Sequence, residues 1–316
     1  MSNLQLSIVI PVYSSQNSLE ILVNRLEPVL NQLANEYELI FVNDGSPDQS
    51  WKVIESLRSK HKWVLGINLM RNYGQHNALL AGIRAARFPI IITMDDDLQH
   101  PPEEIPKLLC NLTDDIDVVY GYPEKETHGL FRAFASIVTK IALQKSMGAT
   151  TARRASAFRV FRTQIRDSFA EYSAPFVSID VLLTWGTTRF QAVPVHNDVR
   201  IFGKSGYSIS KLVLLAINMV TGFTVIPLQI ASIVGLGSTI FGLGVLTYAL
   251  MNYLVHGSVV PGFTFLASSI AIFSGAQLLS LGIIGEYLAR MHFRAMNKPT
   301  YTVRRYNQKE SDFGRS

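Results

Sequence analysis

From the N-terminus to about residue 125, short apolar runs alternate with stretches of helical periodicity. The runs are Leu6 to Ile10, Leu39 to Val42, Val64 to Leu69, Ile90 to Met94 and Val118 to Tyr120. Between the first two, Leu19, Leu22, Val23, Leu26, Leu30 and Leu33 recur at helical spacing, which predicts a helix joining two strands. Asn17 and Glu20 precede and open that helix at the spacing of a capping box. Pro101-Pro102-Glu103-Glu104 opens another helix. This alternation predicts βα units and a mostly parallel sheet, an α/β fold. Each predicted strand ends in polar or turn-forming residues: Pro11-Val12-Tyr13-Ser14, Asn43-Asp44-Gly45-Ser46, Arg71-Asn72-Tyr73-Gly74 and Asp95-Asp96-Asp97. Ligands of open α/β sheets bind in the crevice beyond the C-terminal strand ends. No GxGxxG follows the first strand, which argues against a dinucleotide-binding Rossmann domain.

Residues from about 126 to 200 carry a weaker pattern. Phe131 to Gln144 has the spacing of an amphipathic helix, Ala152 to Arg166 is basic, and Phe190 to Val195 fits a returning strand. Beyond them the polarity falls away. Residues from about Ile226 to Tyr253 and from about Phe263 to Leu288 are nearly uncharged and long enough to span roughly 30 Å of hydrocarbon. Leu212 to Phe223 follows Lys204 and Lys211 and suits an interfacial helix. The expected organisation is a globular domain over residues 1–210, an interfacial helix over 211–225, a two-span membrane domain over 226–290 and a tail over 291–316.

Composition agrees with a mixed chain. The 316 residues are 48% hydrophobic yet 17% charged, and mean hydropathy is +0.19. Between Lys211 and Arg290 the only formally charged residue is Glu286. The net charge of +5 would suit nucleic acid, but Arg200, Lys204, Lys211, Arg290, Arg294, Lys298, Arg304 and Arg305 flank the apolar segments, so an anionic membrane face is the expected partner and nucleic acid is not. The stretch Leu254 to Gly262 between the two spans carries neither Lys nor Arg. The positive-inside rule therefore puts the globular domain and the C-terminus in the cytoplasm of a multi-pass inner-membrane protein. Ser238 and Gly242, four apart, permit close helix approach and so admit a homo-oligomer. Met1 to Gln5 lacks a basic leader region, and a single cysteine, Cys110, excludes an intramolecular disulfide.

The chemistry sits at the strand ends. Three adjacent carboxylates, Asp95-Asp96-Asp97, repel one another unless a cation lies among them, and hard oxygen ligands suit Mg²⁺ or Mn²⁺ bridging a diphosphate. Asp44 has two readings, an acceptor for a ribose or base and the carboxylate of an Asx turn. Tyr13 either stacks on a base or packs, and Arg71 either meets a phosphate or base or forms a surface ion pair. Further on, Arg200-Ile201-Phe202-Gly203-Lys204-Ser205-Gly206-Tyr207-Ser208 combines two cations, exposed backbone N–H groups and hydroxyls, a composition suited to gripping a phosphate at headgroup depth.

Together, Pro11-Val12-Tyr13, Val42 to Ser46, Arg71 to His76, Asp95 to Pro106, Gly203 to Ser208 and Leu281 to Arg290 resemble the family 2 glycosyltransferases that charge polyprenyl phosphate, a group including bactoprenol glucosyltransferase, undecaprenyl-phosphate aminoarabinose transferase and dolichol-phosphate mannose synthase. The resemblance covers nearly the whole chain. It implies a GT-A fold, a UDP-linked or other nucleotide-sugar donor and inversion at the sugar C1. It implies a divalent metal on Asp95 and Asp97, and donor contacts from Pro11, Tyr13, Asp44, Arg71, Asp95 and Gln99. A lipid phosphate would be held by Arg200, Lys204, Ser205 and Tyr207, with Asp97, Asp96 and Arg200 as the candidate catalytic groups.

Two departures stand out. The family often reads Pro-x-Tyr-Asn-Glu where this chain has Tyr13-Ser14-Ser15, and many members carry an aspartate where Ala157 precedes Phe158-Arg159. A phosphate monoester has its second pKa near 6, so an acceptor phosphate is largely a dianion at pH 7 and needs little help from a base. A processive polysaccharide synthase and an inactive membrane scaffold of the same fold are the alternative readings; the first lacks its Gln-x-x-Arg-Trp motif here.

Overall fold

The computed structural model describes residues 4–124, 154–174, 177–198, 226–256, 262–296 and 298–304. The helices expected over Phe131 to Gln144 and Leu212 to Phe223, and the Arg200 to Ser208 loop, lie outside the described residues. The chain divides into two compact units, Met1–Lys211 with Lys298–Ser316, and Leu212–Asn297.

The first unit is built on a sheet of β1 (Gln5–Val12), β2 (Glu36–Asn43), β3 (Val64–Asn68), β4 (Ile90–Thr93), β5 (Val118–Pro123), β6 (Arg159–Arg162) and β7 (Phe190–Val195). Their order is β3-β2-β1-β4-β6-β5-β7. β1 pairs in parallel with β2 and with β4, and β2 with β3. β5 and β7 are also parallel, while β6 runs antiparallel between β4 and β5. Helices α1 (Leu19–Leu33), α2 (Ser50–Lys60), α3 (Gln75–Ala85), α4 (Ile105–Cys110) and α5 (Ile179–Gly186) accompany it. Between β1 and β4 the strand order reverses, the switch point at which ligands of such sheets bind.

The unbroken apolar character of β1 follows from burial on both faces. Leu6, Ile8, Ile10 and Val12 join Leu19, Leu22 and Leu26 of α1 and Ile54 and Leu57 of α2 in one buried cluster. On the opposite face Val9 lies against Gly82 of α3. The predicted helical stripe is realised, with Leu19, Leu22, Val23, Leu26 and Leu30 all buried. The predicted capping box is not. Ser18 is the N-cap and makes no side-chain cap bond. Its hydroxyl donates instead to the Ser15 carbonyl at 3.1 Å, so the chain turning out of β1 takes the group that the cap would have used.

The basic stretch Ala152 to Arg166 contains a strand that its charges conceal. Arg159 is 1% exposed. Its guanidinium pairs with Asp180 of α5 and donates to the Thr93 hydroxyl at 3.0 Å, while Tyr120 donates to Asp180 at 3.0 Å. A buried, partnered arginine substitutes for the apolar residue that a central strand would show.

The second unit contains two long helices, α6 (Ile226–His256) and α7 (Phe263–Ala295). Leu228–Val245 and Ile272–Ala289 have mean hydropathies of 1.7 and 1.3, long and apolar enough to cross a membrane. Gly242 faces Phe273 of the neighbouring helix so closely that a Cβ there would lie 2.9 Å from the ring.

A Cβ at Gly82 would sit 2.3 Å from Val9 Cγ1 and 3.0 Å from Val42 Cγ2, both stiff β-branched side chains. Overpacking of this kind costs about 1–3 kcal/mol, against roughly 1 kcal/mol of helix propensity gained. Gly82→Ala should therefore lower the unfolding temperature of the full chain in detergent by about 2–6 °C, read by circular dichroism.

Candidate active site

Three neighbouring parallel strands deliver their exits to one edge, and a crevice of about 430 Å³ opens there. Pro11 and Tyr13 line it from β1, Asp44 from β2, and Asp95, Asp96 and Asp97 from β4. Asn72, Gly74 and Gln75 complete its wall from the segment between β3 and α3. Thus Pro11, Tyr13, Asp44 and the three acids converge as their positions at strand ends led one to expect. Arg71 and Gln99 lie outside the lining. Arg200, Lys204, Ser205 and Tyr207 fall outside the described residues.

Asp44 is 3% exposed and acts as a clasp between loops. Its Oδ1 accepts the Tyr73 N–H at 2.7 Å and its Oδ2 the Gly74 N–H at 2.8 Å. The Asx-type bond in this turn belongs instead to Asn43, whose Oδ1 accepts the Ser46 N–H at 3.3 Å. Burial raises the Asp44 pKa despite the two backbone donors. Gly45, at φ +65°, lets the loops close: a Cβ would lie 2.5 Å from the Arg71 carbonyl carbon. Arg71 is exposed and its guanidinium lies 4.6 Å from the centre of the Tyr73 ring.

The acidic turn is held from several sides. Gln75, at the start of α3, donates to Asp95 Oδ1 at 2.6 Å. Asp97 Oδ1 accepts the Gln99 N–H at 3.1 Å. The intervening Leu98 takes φ +62°, a left-handed conformation that costs an L-residue about 1–2 kcal/mol, yet its side chain is 1% exposed in the core. Asp96 Oδ2 accepts the Tyr13 N–H at 3.3 Å, and Ser14 just beyond also has positive φ. Among the described residues no three acidic, histidine or cysteine side chains form a ready cage for a metal. The donor set nevertheless fits a hard divalent cation that arrives with a diphosphate, because Mg²⁺-type ions keep water and phosphate oxygens alongside one or two carboxylates. The wall also holds residues whose part the sequence did not single out. Gln75 stood within a quoted motif, but its bond to Asp95 depends on the pairing of β1 with both β2 and β4.

The family model for "Glycosyl transferase family 2" matches residues 7–169, just over half the chain. Among solved structures, glucosyl-3-phosphoglycerate synthase from Mycobacterium tuberculosis in complex with Mn²⁺, UDP-glucose and phosphoglyceric acid matches with a TM-score of 0.53 at 16% identity, covering 69% of this chain and 78% of that one. The same enzyme in complex with UDP gives 0.52 at 17% identity, over 69% and 78% of the two chains. These likenesses establish a GT-A-like α/β fold with a mostly parallel sheet.

Burial, with the neighbouring Asp95 and Asp97 charges adding to it, pushes the Asp96 pKa from 3.8 to about 7, against hydrogen bonds from Ser15 and the Tyr13 N–H. A carboxyl whose folded pKa exceeds its unfolded value binds protons better when folded, so ionisation opposes folding as pH rises above 3.8, a penalty that levels off above about 7. Asp96→Asn carries no such penalty. In metal-free buffer the variant's melting temperature should gain on the wild type as pH is raised from about 5 to 8. A gap that stays constant over that range would show that Asp96 does not titrate there.

Proposed function

This chain belongs to glycosyl transferase family 2, and we propose that it transfers a sugar, with inversion, from a nucleotide-sugar donor to polyprenyl phosphate at a membrane. The observation that carries the acceptor assignment is a tether beside the acidic turn. The Asp198 N–H donates to the Gln99 carbonyl at 3.0 Å. Arg25 of α1 bridges Asp198 and Glu103 at 3.1 and 2.8 Å. Two residues later the sequence enters Arg200-Ile201-Phe202-Gly203-Lys204-Ser205-Gly206-Tyr207, the basic, hydroxyl-bearing segment suited to a phosphate. A lipid rather than a soluble acceptor is favoured by the two candidate spans that follow in the same chain. The basic residues that flank them put the catalytic unit and the tail on the cytoplasmic side of the inner membrane.

In this reading the nucleotide lies along the crevice from Arg71, Tyr13 and Asp44 towards Asp95. Mg²⁺ or Mn²⁺ on Asp95 and Asp97 would supply charge neutralisation for the departing nucleoside diphosphate. Mn²⁺ accompanies UDP-glucose in the mycobacterial enzyme of similar fold. Arg200 and Lys204 orient the acceptor phosphate for attack on C1. That phosphate is already ionised at neutral pH, which removes the need for a strong base. Position 157 bears on this point: the Ala157 carbonyl accepts the Thr93 hydroxyl at 2.8 Å, so its methyl group stands by the end of β4, where many relatives of the resembled kind carry an aspartate. Asp96 and Asp97 are the carboxylates at hand for any residual proton transfer.

Membranes containing the protein, incubated with radiolabelled nucleotide sugars and polyprenyl phosphate, should yield organic-extractable label, and Asp97→Asn should abolish it. Insoluble polymer instead would identify a polysaccharide synthase, and no transfer from any donor would identify a scaffold. Lys204→Ala should raise the acceptor KM by about tenfold or more, the loss of one charge-assisted contact, while leaving the donor KM within about twofold.

A further inference from the structure

β3 is the first strand in the sheet order, and its outer edge is not bare. The segment that follows α7 in sequence pairs with it: Leu69 bridges Val303 in antiparallel fashion. The Met70 N–H donates to the Thr302 carbonyl at 2.9 Å, and the Arg304 N–H to the Asn68 carbonyl at 2.7 Å. Thr300 is buried, and Tyr301 lies under the Arg84 guanidinium at 5.8 Å. Backbone pairing alone would protect the edge. The Thr302 side chain does something more. It hydrogen-bonds the Tyr73 hydroxyl, an interaction that, with the nearby Arg71, holds that phenol below its ordinary pKa of 10.0.

Tyr73 is the support on which Arg71 rests, 4.6 Å below its guanidinium, and its backbone N–H is one of the two that Asp44 clasps. The exposed guanidinium is thereby held flat with its outer face free to stack on a planar ring. We propose that Thr302 is a positioning residue for the donor: through Tyr73 it fixes Arg71 as a platform for the nucleobase. The inference rests on the reading of the crevice as a nucleotide-sugar site. It adds that donor affinity depends on the strand after the second apolar helix, far in sequence from every strand exit that forms the crevice.

The test measures UDP and GDP binding to the full-length protein in detergent with Mn²⁺, by calorimetry, and steady-state kinetics alongside. Thr302→Val, which keeps shape and backbone pairing, should weaken binding of the preferred nucleotide about three- to fivefold, as expected for one modest hydrogen bond. Thr302→Ser should restore it to within about twofold, and kcat and the acceptor KM should not move. Tyr73→Phe should weaken binding similarly, and the double variant Thr302→Val, Tyr73→Phe should lose no more than either alone. Equal nucleotide affinity in Thr302→Val and wild type overturns this inference alone. A wild type that binds neither nucleotide overturns the nucleotide-sugar reading, and the inference with it.

Discussion

The parallel pairing of β1 with β2 on one side and β4 on the other is the constraint from which the site follows. Because the three strands point the same way, whatever follows Val12, Asn43 and Thr93 must emerge at one edge. The chain needs no long-range coincidence to bring Tyr13, Asp44 and Asp95 together. Burial of β1 on both faces fixes its register, since a slip by one residue would exchange the side facing α1 and α2 for the side facing α3. The shape of the crevice is thus tied to the packing of Leu6, Ile8 and Ile10 as firmly as the fold itself.

Against that rigid frame the exits are under strain of two kinds. Three carboxylates crowd one turn, and the central one is pushed to a pKa of about 7. Two non-glycine residues, Ser14 and Leu98, hold left-handed backbone on either side of the same opening. Such conformations persist where surrounding structure over-determines them, and here the buried Leu98 side chain anchors the turn while Asp97 accepts from Gln99. Charge repulsion and backbone strain both favour a cation and an anionic ligand at this place. That is what a glycosyltransferase of this family asks of it.

Much of this was legible in the amino-acid pattern, and the reasons for what was not are physical. β1 to β5 and β7 show as apolar runs because both their faces are covered, and α1 shows through its stripe of leucines. β6 did not show, because a buried Arg159 neutralised by Asp180 reads as surface charge until its partner is known. The acids and Asp44 were legible as strand-end residues. The clasp from Asp44 to Tyr73 and Gly74 was not, since its partners lie some thirty positions away. The expected capping box failed for the same reason, its place taken by contacts between Ser18 and Ser15. Arg71 lies outside the crevice lining, stacked on Tyr73 beside it.

The pairing of Val303 with Leu69 also has a temporal meaning. A ribosome makes β3 early and residues 298–304 late, after both apolar helices have been synthesised. Until then the outermost strand of the sheet has an open flank, available to neighbouring nascent chains. Completion of the catalytic unit is therefore the last event of its biogenesis, so a polypeptide stalled before the second helix would carry every acidic group of the crevice and still lack its finished edge.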